Sequence, residues 1–513
     1  MSWESEVEEL RQRQKLAQEM GGPDRVKRQH DNGKLTVRER IDRFLDPGSF
    51  VEIGSIAGKA SYDDKGRIAA FTPSYLVMGR GLVDGRPVVV SGDDFTVRGG
   101  SSEGGAKEKL YRVEMMARDL RLPLIRLVDG GGGGSVRTAE IIGYTRCPHL
   151  NWGCVVDNLS QVPVVALALG AVPGLGAVRV TASHYSVMVK NSSQLFIAGP
   201  PVVKRVGEDL DKNELGGSEI HTRNGTVDDE AKSEEEAFEK ARRFLSYLPR
   251  SVHELPARTP PTDDPHRRVE NLIEAIPRDE RKVYKMRPMV EALVDKNSFF
   301  EMGRMWGRSI ITGFARLDGW PVAFMASDPF SYAGAWTADT SRKVRRFIDL
   351  AQTFHLPVVY LVDCPGFMIG LEAEKSAIAR FGTEALFAIN ETTVPWCGII
   401  VRKCYGIAGG GHAPNSRYAM RYAWPSANWG SLPVAGGLEV AYKAEIGSSE
   451  NPQAKIAEIE ERLARFRSPL RTAEAFNFDE IIDPRDTRRL LCEFVNIGAA
   501  AREAGPPRFG YRP

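Results

Sequence analysis

The chain has 513 residues, is 42% hydrophobic and 27% charged, and carries a formal charge of +2. These values sit near globular averages and exclude long disorder, a membrane class and a nucleic-acid binder that relies on a broad basic surface. The length gives two to four domains at about 100 to 200 residues each, and six cysteines with no CxxC pair give no support to a zinc cage or redox dithiol.

In chain order, MSWESEVEELRQRQKLAQEM has helical apolar spacing and lacks the basic-then-apolar pattern of a signal peptide, so the expected location is the cytoplasm. RFLDPGSFVEIG (43–54) follows, then VDGRPVVV (83–90), whose Asp-Gly pair reads as a hairpin turn. A glycine-bearing loop leads to an amphipathic helix over Lys107–Arg121 and to the buried strand LPLIRLVDG (122–130). Five glycines (130–134) come next, then VPVVALALGAVPGLGAVRV (162–180). Pro173 and the glycines break that run before the roughly 18 to 20 apolar residues a membrane span needs, so no span is expected. EAKSEEEAFEKARR (230–243) is a solvated charged helix.

The same order then repeats. LPVVYLVDC (356–364) matches the first buried strand, and 363 minus 129 sets an offset of 234. That offset also pairs Asp84 with Asp318, Gly85 with Gly319, Asp94 with Asp328, Gly100 with Gly334 and Lys109 with Lys343. ALVDKNSFFEMG (292–303) matches RFLDPGSFVEIG at 249, and Gly174 matches Gly406 at 232. Alternating strands and helices favour an α/β fold with parallel pairing and outer helices. The expected domains are 1–250 and 269–513, joined by a Pro-rich linker at 251–268.

Each half ends a buried strand in a small-residue turn: Gly174, Leu175 and Gly176 in the first, Gly406, Ile407 and Ala408 in the second. A glycine turn that opens a helix presents N–H groups without intrahelical partners, which suits a phosphate or a developing oxyanion. The structural alternative is a tight turn where only glycine fits. GGGGGSVR lacks the Gly-Lys-Ser/Thr ending of a phosphate-binding P-loop.

GKLTVRERIDRFLDPGSFVEIGS, IITGFARLDGWPV and LVDCPGF resemble the carboxyltransferase (β) subunits of biotin-dependent acyl-CoA carboxylases, similar to those of propionyl-CoA and methylcrotonyl-CoA carboxylases, over about residues 10–511. The resemblance implies two duplicated crotonase-like domains, acyl-CoA on the first and biotin on the second of a partner subunit, in a hexamer with its sites across a dimer interface. In the family, carboxybiotin releases carbon dioxide, the biotin anion takes the α-proton of the thioester, and the enolate is carboxylated. The two turns would hold the two oxyanions, so neither a Ser-His-Asp set nor a metal is expected. Gly131, Gly132 and Arg179 are implied as substrate-binding, and Pro365, Gly366 and Phe367 as biotin-binding. Biotin would arrive on a biotin carboxylase or biotin carboxyl carrier partner, since the chain has neither an AMKM-type attachment segment nor an ATP-binding loop.

The sequence departs from the family at these sites. AGGAVYSPA becomes PGLGAVRVT, so Leu175 replaces a glycine; RKAYGGAY becomes RKCYGIAGGGH, so Ile407 replaces another; and GGARIQEG becomes GGGGGSVRT. Arg179 in the acyl pocket would suit a polar or acidic acyl group, and its alternative is an Arg directed to solvent or to a neighbouring carboxylate. Arg98, Lys107 and Arg137 stand near loops suited to CoA phosphates, and His184 and His412 read as structural. Other readings are a biotin-linked acyl-CoA decarboxylase, a scaffold subunit, and a hydratase, for which VPGLGAV lacks the paired acids.

Overall fold

The computed structural model describes residues 2–101, 108–131, 139–140, 143–145, 147, 152–432 and 434–513. It divides into two units, 1–254 with 506–513, and 255–505. The last eight residues, assigned by sequence to the second domain, lie with the first: Tyr511 is buried and its ring centroid is 4.5 Å from that of His184. The Pro-rich segment divides as well. Its later part docks on the second unit, where Arg258 donates to the Asp318 carbonyl (2.8 Å) and the Thr259 N–H to the Gly319 carbonyl (3.0 Å).

The first unit is built on a seven-stranded sheet in sequential order: β1 (Val51–Glu52), β2 (Leu76–Val83), β3 (Arg86–Asp93), β4 (Leu124–Val128), β5 (Val164–Ala168), β6 (Tyr185–Val189) and β7 (Asp229–Ala231). Pairing is antiparallel from β1 to β3 and parallel from β3 to β7. β4 and β5 are apolar almost throughout and fully buried, as strands covered on both faces must be. Helices α1 (Pro23–Asp31), α2 (Val37–Phe44), α3 (Glu108–Leu120) and α4 (Leu175–Thr181) surround the sheet's site-bearing end.

The second unit repeats this plan in β8 (Phe300–Met302), β9 (Ile310–Leu317), β10 (Trp320–Ser327), β11 (Val358–Cys364), β12 (Trp396–Tyr405), β13 (Met420–Ala423), β14 (Asn428–Gly430) and β15 (Glu480–Ile481). Its order is β8-β9-β10-β11-β12-β13-β15, with β14 also pairing β12, and again the first two pairings are antiparallel and the rest parallel. Helices α5 (Ala338–Thr353) and α6 (Gly406–Gly410) stand where α3 and α4 do in the first unit.

Matched residues make matched bonds. Asp84 and Gly85 (φ 50° and 74°) form the two-residue turn between β2 and β3, and both N–H groups donate to Asp46; Asp318 and Gly319 (φ 49° and 78°) do the same with Asp295. Lys109 Nζ donates to the Gly54 carbonyl at 3.1 Å, and Lys343 Nζ to the Gly303 carbonyl at 2.8 Å. Arg38 pairs with Glu52 and Arg287 with Glu301, which realises the 249 offset.

α2 opens on a capping box: the Glu39 N–H donates to the Thr36 side chain, and the Thr36 N–H to Glu39 (2.7 Å). Burial raises the Glu39 pKa, but hydrogen bonds from His30 and Thr36 outweigh it and bring it from 4.5 down to about 2. A depressed carboxylate pKa stabilises above the unfolded value and loses that contribution as pH falls. Wild-type stability should therefore drop between pH 4.5 and about 2 with a contribution from this carboxylate, and denaturant melts should show a shallower acid limb in Glu39→Gln. Thr36→Ala should cost ~1 kcal/mol in the same melts at pH 7.

Candidate active site

In the first unit the chain leaves β5 through a short strand, Ala171–Pro173, paired in parallel with Gln194–Phe196. It turns at Gly174, whose φ of 58° is in the left-handed region open to glycine, and enters α4 at Leu175. The three turn residues have different tasks. The Gly174 N–H donates to the Phe196 carbonyl (3.0 Å), and the Gly176 N–H donates to the Gly131 carbonyl (2.9 Å). The Leu175 N–H has no acceptor among the described residues. Among the described residues it is the unpaired donor of this turn, and the Leu175 side chain packs against a cluster of Tyr75, Leu76, Val97 and Leu110. A Cβ at Gly176 would lie 2.3 Å from the Gly130 carbonyl oxygen, so that glycine is required by packing.

Gly131 is brought to the turn by its bond to Gly176, while Gly132, Lys107 and Arg137 lie outside the described residues. Arg179 lies one turn into α4, buried, with Nη1 3.0 Å from both oxygens of Asp93 at the end of β3. Its Nε and Nη2, the Tyr75 hydroxyl and the Ser91 hydroxyl are buried with no hydrogen-bond partner among the described residues. Burial raises the Asp93 pKa against the pull of the Arg179 guanidinium. The far end of α4 is fixed by Arg126, which donates to the Arg179 and Ala182 carbonyls while forking onto Glu114. His184 is structural, accepting from the Val164 N–H (3.0 Å) and donating to the Leu159 carbonyl (2.9 Å).

The second unit builds the related turn at the end of β12. Gly406 has φ 61°, and no N–H of Gly406, Ile407 or Ala408 has an acceptor among the described residues. Ile407 is 69% exposed and Gly406 half-buried, while Ala408 is buried. Pro365, Gly366 and Phe367 run alongside: a Cβ at Gly366 would sit 3.7 Å from the Tyr405 carbonyl oxygen, as one at Gly131 would sit 3.6 Å from that of Pro173. Gly366 accepts from the Trp336 N–H (3.0 Å), and the Phe367 ring packs edge-on at 6.1 Å from that of Trp336. His412 donates from Nδ1 to the Gly409 carbonyl (3.1 Å), and burial lowers its pKa.

A buried aspartate ends each of β4 and β11, the strands that pair beside the ones leading to these turns. Asp129 accepts from Arg40 (2.8 Å) and Gln29 (3.2 Å), and Arg40 also forks onto Glu234. Asp363 accepts from Arg402 (3.0 Å), the Tyr284 hydroxyl (2.8 Å) and the Lys403 N–H (3.1 Å). Sequence reading found both aspartates but neither counter-ion. Arg40 is 89 residues from Asp129 and Arg402 is 39 from Asp363, separations that no local pattern relates.

The family model for the carboxyl transferase domain matches residues 28–510. The carboxyltransferase subunit of propionyl-CoA carboxylase from Haloferax mediterranei is 34% identical, over 99% of each chain. The methylmalonyl-CoA decarboxylase subunit alpha of Veillonella parvula is 31% identical, over 95% of this chain and 94% of that one. A crystal structure of transcarboxylase 12S, described as a hexamer assembly with methylmalonyl-coenzyme A and methylmalonic acid bound, superposes with a TM-score of 0.87 at 30% identity, over 99% of this chain and 98% of that one.

Proposed function

Because this chain belongs to the carboxyl transferase domain family, we propose that it is the carboxyltransferase subunit of an acyl-CoA carboxylase, moving a carboxyl group from carboxybiotin to the α-carbon of an acyl-CoA thioester. The observation that carries this reading is the pair of glycine turns, each with at least one N–H donor that has no acceptor among the described residues, in a chain that matches the family model over residues 28–510.

On this reading the Leu175 N–H holds the thioester oxygen as it gains charge, which lowers the barrier to forming the enolate. The Gly406, Ile407 and Ala408 donors suit the ureido oxygen of biotin, and the exposed flank at Ile407 gives a carrier room to deliver it. Bound biotin supplies the carboxyl group and the base that takes the α-proton. Gly131 supports the first turn and Pro365 to Phe367 the second, each by main-chain packing. Arg179 remains on Asp93 and keeps its Nε and Nη2 donors for a polar or acidic acyl group. We assign biotin delivery to a biotin carboxylase and carrier partner, and the assembly to a hexamer with sites shared between subunits. We assign the compartment to the cytoplasm, where the buried thiols of Cys364, Cys397, Cys404 and Cys492 stay reduced. No helix among the described residues is long and apolar enough to cross a membrane.

The test is carboxyl transfer by the purified subunit from methylmalonyl-CoA, malonyl-CoA and bulkier carboxylated acyl-CoAs to free biotin. Acyl-dependent transfer is expected; silence across the panel in folded, CoA-binding protein would overturn the reading. The Veillonella relative favours decarboxylation as a second direction for the same site, and a biotin-dependent release of carbon dioxide from methylmalonyl-CoA in the assembled complex would establish it.

A further inference from the structure

The Arg179 Nε and Nη2, the Tyr75 hydroxyl and the Ser91 hydroxyl have no hydrogen-bond partner, and the three residues are buried together with Asp93. Ser91 and Asp93 lie two apart on β3, so their side chains share the face on which Arg179 Nη1 meets Asp93. Tyr75 belongs to the same niche: burial raises its pKa to about 12, and Arg179 and Asp93 both act on its phenol through their charges. The niche adjoins the first turn, because Leu175, whose N–H is the unpaired donor there, packs on the cluster that contains Tyr75.

The second unit shows the same scaffold without these orphans. The Asp94 N–H donates to the Tyr75 carbonyl (2.6 Å) and the Asp129 N–H to Asp93 (3.3 Å); at the 234 offset the Asp328 N–H donates to the Ser309 carbonyl (2.8 Å) and the Asp363 N–H to the Ser327 hydroxyl (3.1 Å). Ser309 and Ser327 therefore stand where Tyr75 and Asp93 do, and Met325 where Ser91 does. Gly411 follows Gly406 by five residues, as Arg179 follows Gly174. There the polar groups are partnered: Ser309 shares a hydrogen bond with Thr340 (2.6 Å) and Ser327 with Tyr360 (3.4 Å). The fold closes this space without an arginine. An unpaired buried polar group costs about 1–3 kcal/mol, so four unpaired atoms in one copy alone point to a group that arrives. Arginine nitrogens only donate, so that group must accept. Charge narrows it further. Arg179 with Asp93 and Arg126 with Glu114 are balanced pairs, and a carboxylate beside them would leave buried charge uncompensated, at a cost of several kcal/mol. An uncharged oxygen accepts the same bonds without that cost.

We propose that Tyr75, Ser91 and Arg179 select an acyl thioester whose chain carries a hydroxyl over the plain alkyl thioester of the same size; this rests on the carboxyl-transfer reading above and narrows its polar or acidic acyl group to a hydroxyacyl one. Calorimetric titration without biotin keeps the test independent of turnover. The matched pairs are 3-hydroxypropionyl-CoA with butyryl-CoA and 4-hydroxybutyryl-CoA with pentanoyl-CoA, equal in non-hydrogen atoms, and succinyl-CoA is the anionic arm. Wild-type protein should bind at least one hydroxyacyl thioester about tenfold or more tighter than its alkyl match, and succinyl-CoA no tighter than butyryl-CoA. Tyr75→Phe removes an oxygen that bonds nothing in the free protein, so it should melt at the wild-type midpoint while the preference falls about threefold or more. Arg179→Met combined with Asp93→Asn, which leaves no orphan charge, should abolish the preference. Should that pair fail to fold, Tyr75→Phe combined with Ser91→Ala answers the same question. A wild-type preference within about twofold would overturn the proposal, as would tighter binding of succinyl-CoA than of either hydroxyacyl thioester, or a preference that survives in the Tyr75→Phe, Ser91→Ala protein. A lowered midpoint in Tyr75→Phe with the preference intact would assign the four atoms to buried water and overturn it as well. A wild type that shows the preference yet transfers no carboxyl group would support the niche and sink the carboxyl-transfer reading alone.

Discussion

Gly406→Val should lower kcat for carboxyl transfer by about 10² to 10³-fold, the range seen when an oxyanion donor is lost, while the protein stays folded. At φ 61° a β-branched residue is strained by about 1–3 kcal/mol, and the cheapest relief is to rotate the peptides that aim the Gly406 to Ala408 N–H groups outward. Space is not the obstacle, since a Cβ there would first meet the Ser431 carbonyl oxygen at 3.4 Å. The strain is small beside a typical domain stability of about 5–15 kcal/mol, so circular dichroism and the melting midpoint should stay near wild type as activity collapses. Gly174→Val should act alike, with nothing nearer than the Ile197 carbonyl oxygen at 3.7 Å. Its damage works through one donor, the Leu175 N–H. Gly176→Val is the contrast: its side chain would strike the Gly130 carbonyl and Val172, so misfolding is expected. Full activity in folded Gly406→Val would remove the second turn from the chemistry.

Arg40→Met should destabilise the first unit by about 3–5 kcal/mol, the cost of leaving buried charge uncompensated. Arg40 is 1% exposed and bonds Asp129, Glu234 and the Leu169 carbonyl together, so its loss strands two carboxylates in the core. Burial works against the Arg40 charge, but the two carboxylates outweigh it and hold its pKa above the ordinary arginine value. In the variant two carboxylates stay buried without their counter-ion, a cost that adding a proton relieves. The deficit should therefore shrink as pH falls, the reverse of the Glu39 contribution. Denaturant melts followed by a first-unit probe at two pH values test this. A triple change of Arg40, Asp129 and Glu234 to apolar residues of similar volume should recover much of the loss, because no orphan charge remains. An Arg40→Met midpoint equal to wild type at pH 7 would contradict the network.

Much of the architecture was legible because the duplication left identical turn chemistry in both halves. Asp84-Gly85 and Asp318-Gly319 specify the same hairpin locally, and the two buried strands read as unbroken apolar runs. The turns were legible for the same reason, since glycine before a short helix marks a backbone that other residues avoid. What the sequence could not show was which N–H groups are already taken. The Gly176 bond to Gly131 and the Gly174 bond to Phe196 join residues that no local pattern relates. Arg179 is equally opaque, because its partner Asp93 lies 86 residues away and burial, not spacing, makes the pair necessary. The linker misled at its later end: proline and aspartate suggested a free tether, yet Arg258 and Thr259 find partners in the hairpin at Asp318 and Gly319.

The two aspartates that end β4 and β11 stand at equivalent positions but draw their compensating arginines from different places, Arg40 on a helix before the sheet and Arg402 on the strand after it. Short tracts copied between the two halves of the gene would then carry an acid without its base, or a base without its acid. Such exchange would be purged as misfolded product. The copies are thereby insulated from mutual homogenisation, and each half is free to drift toward its own ligand while both keep one backbone.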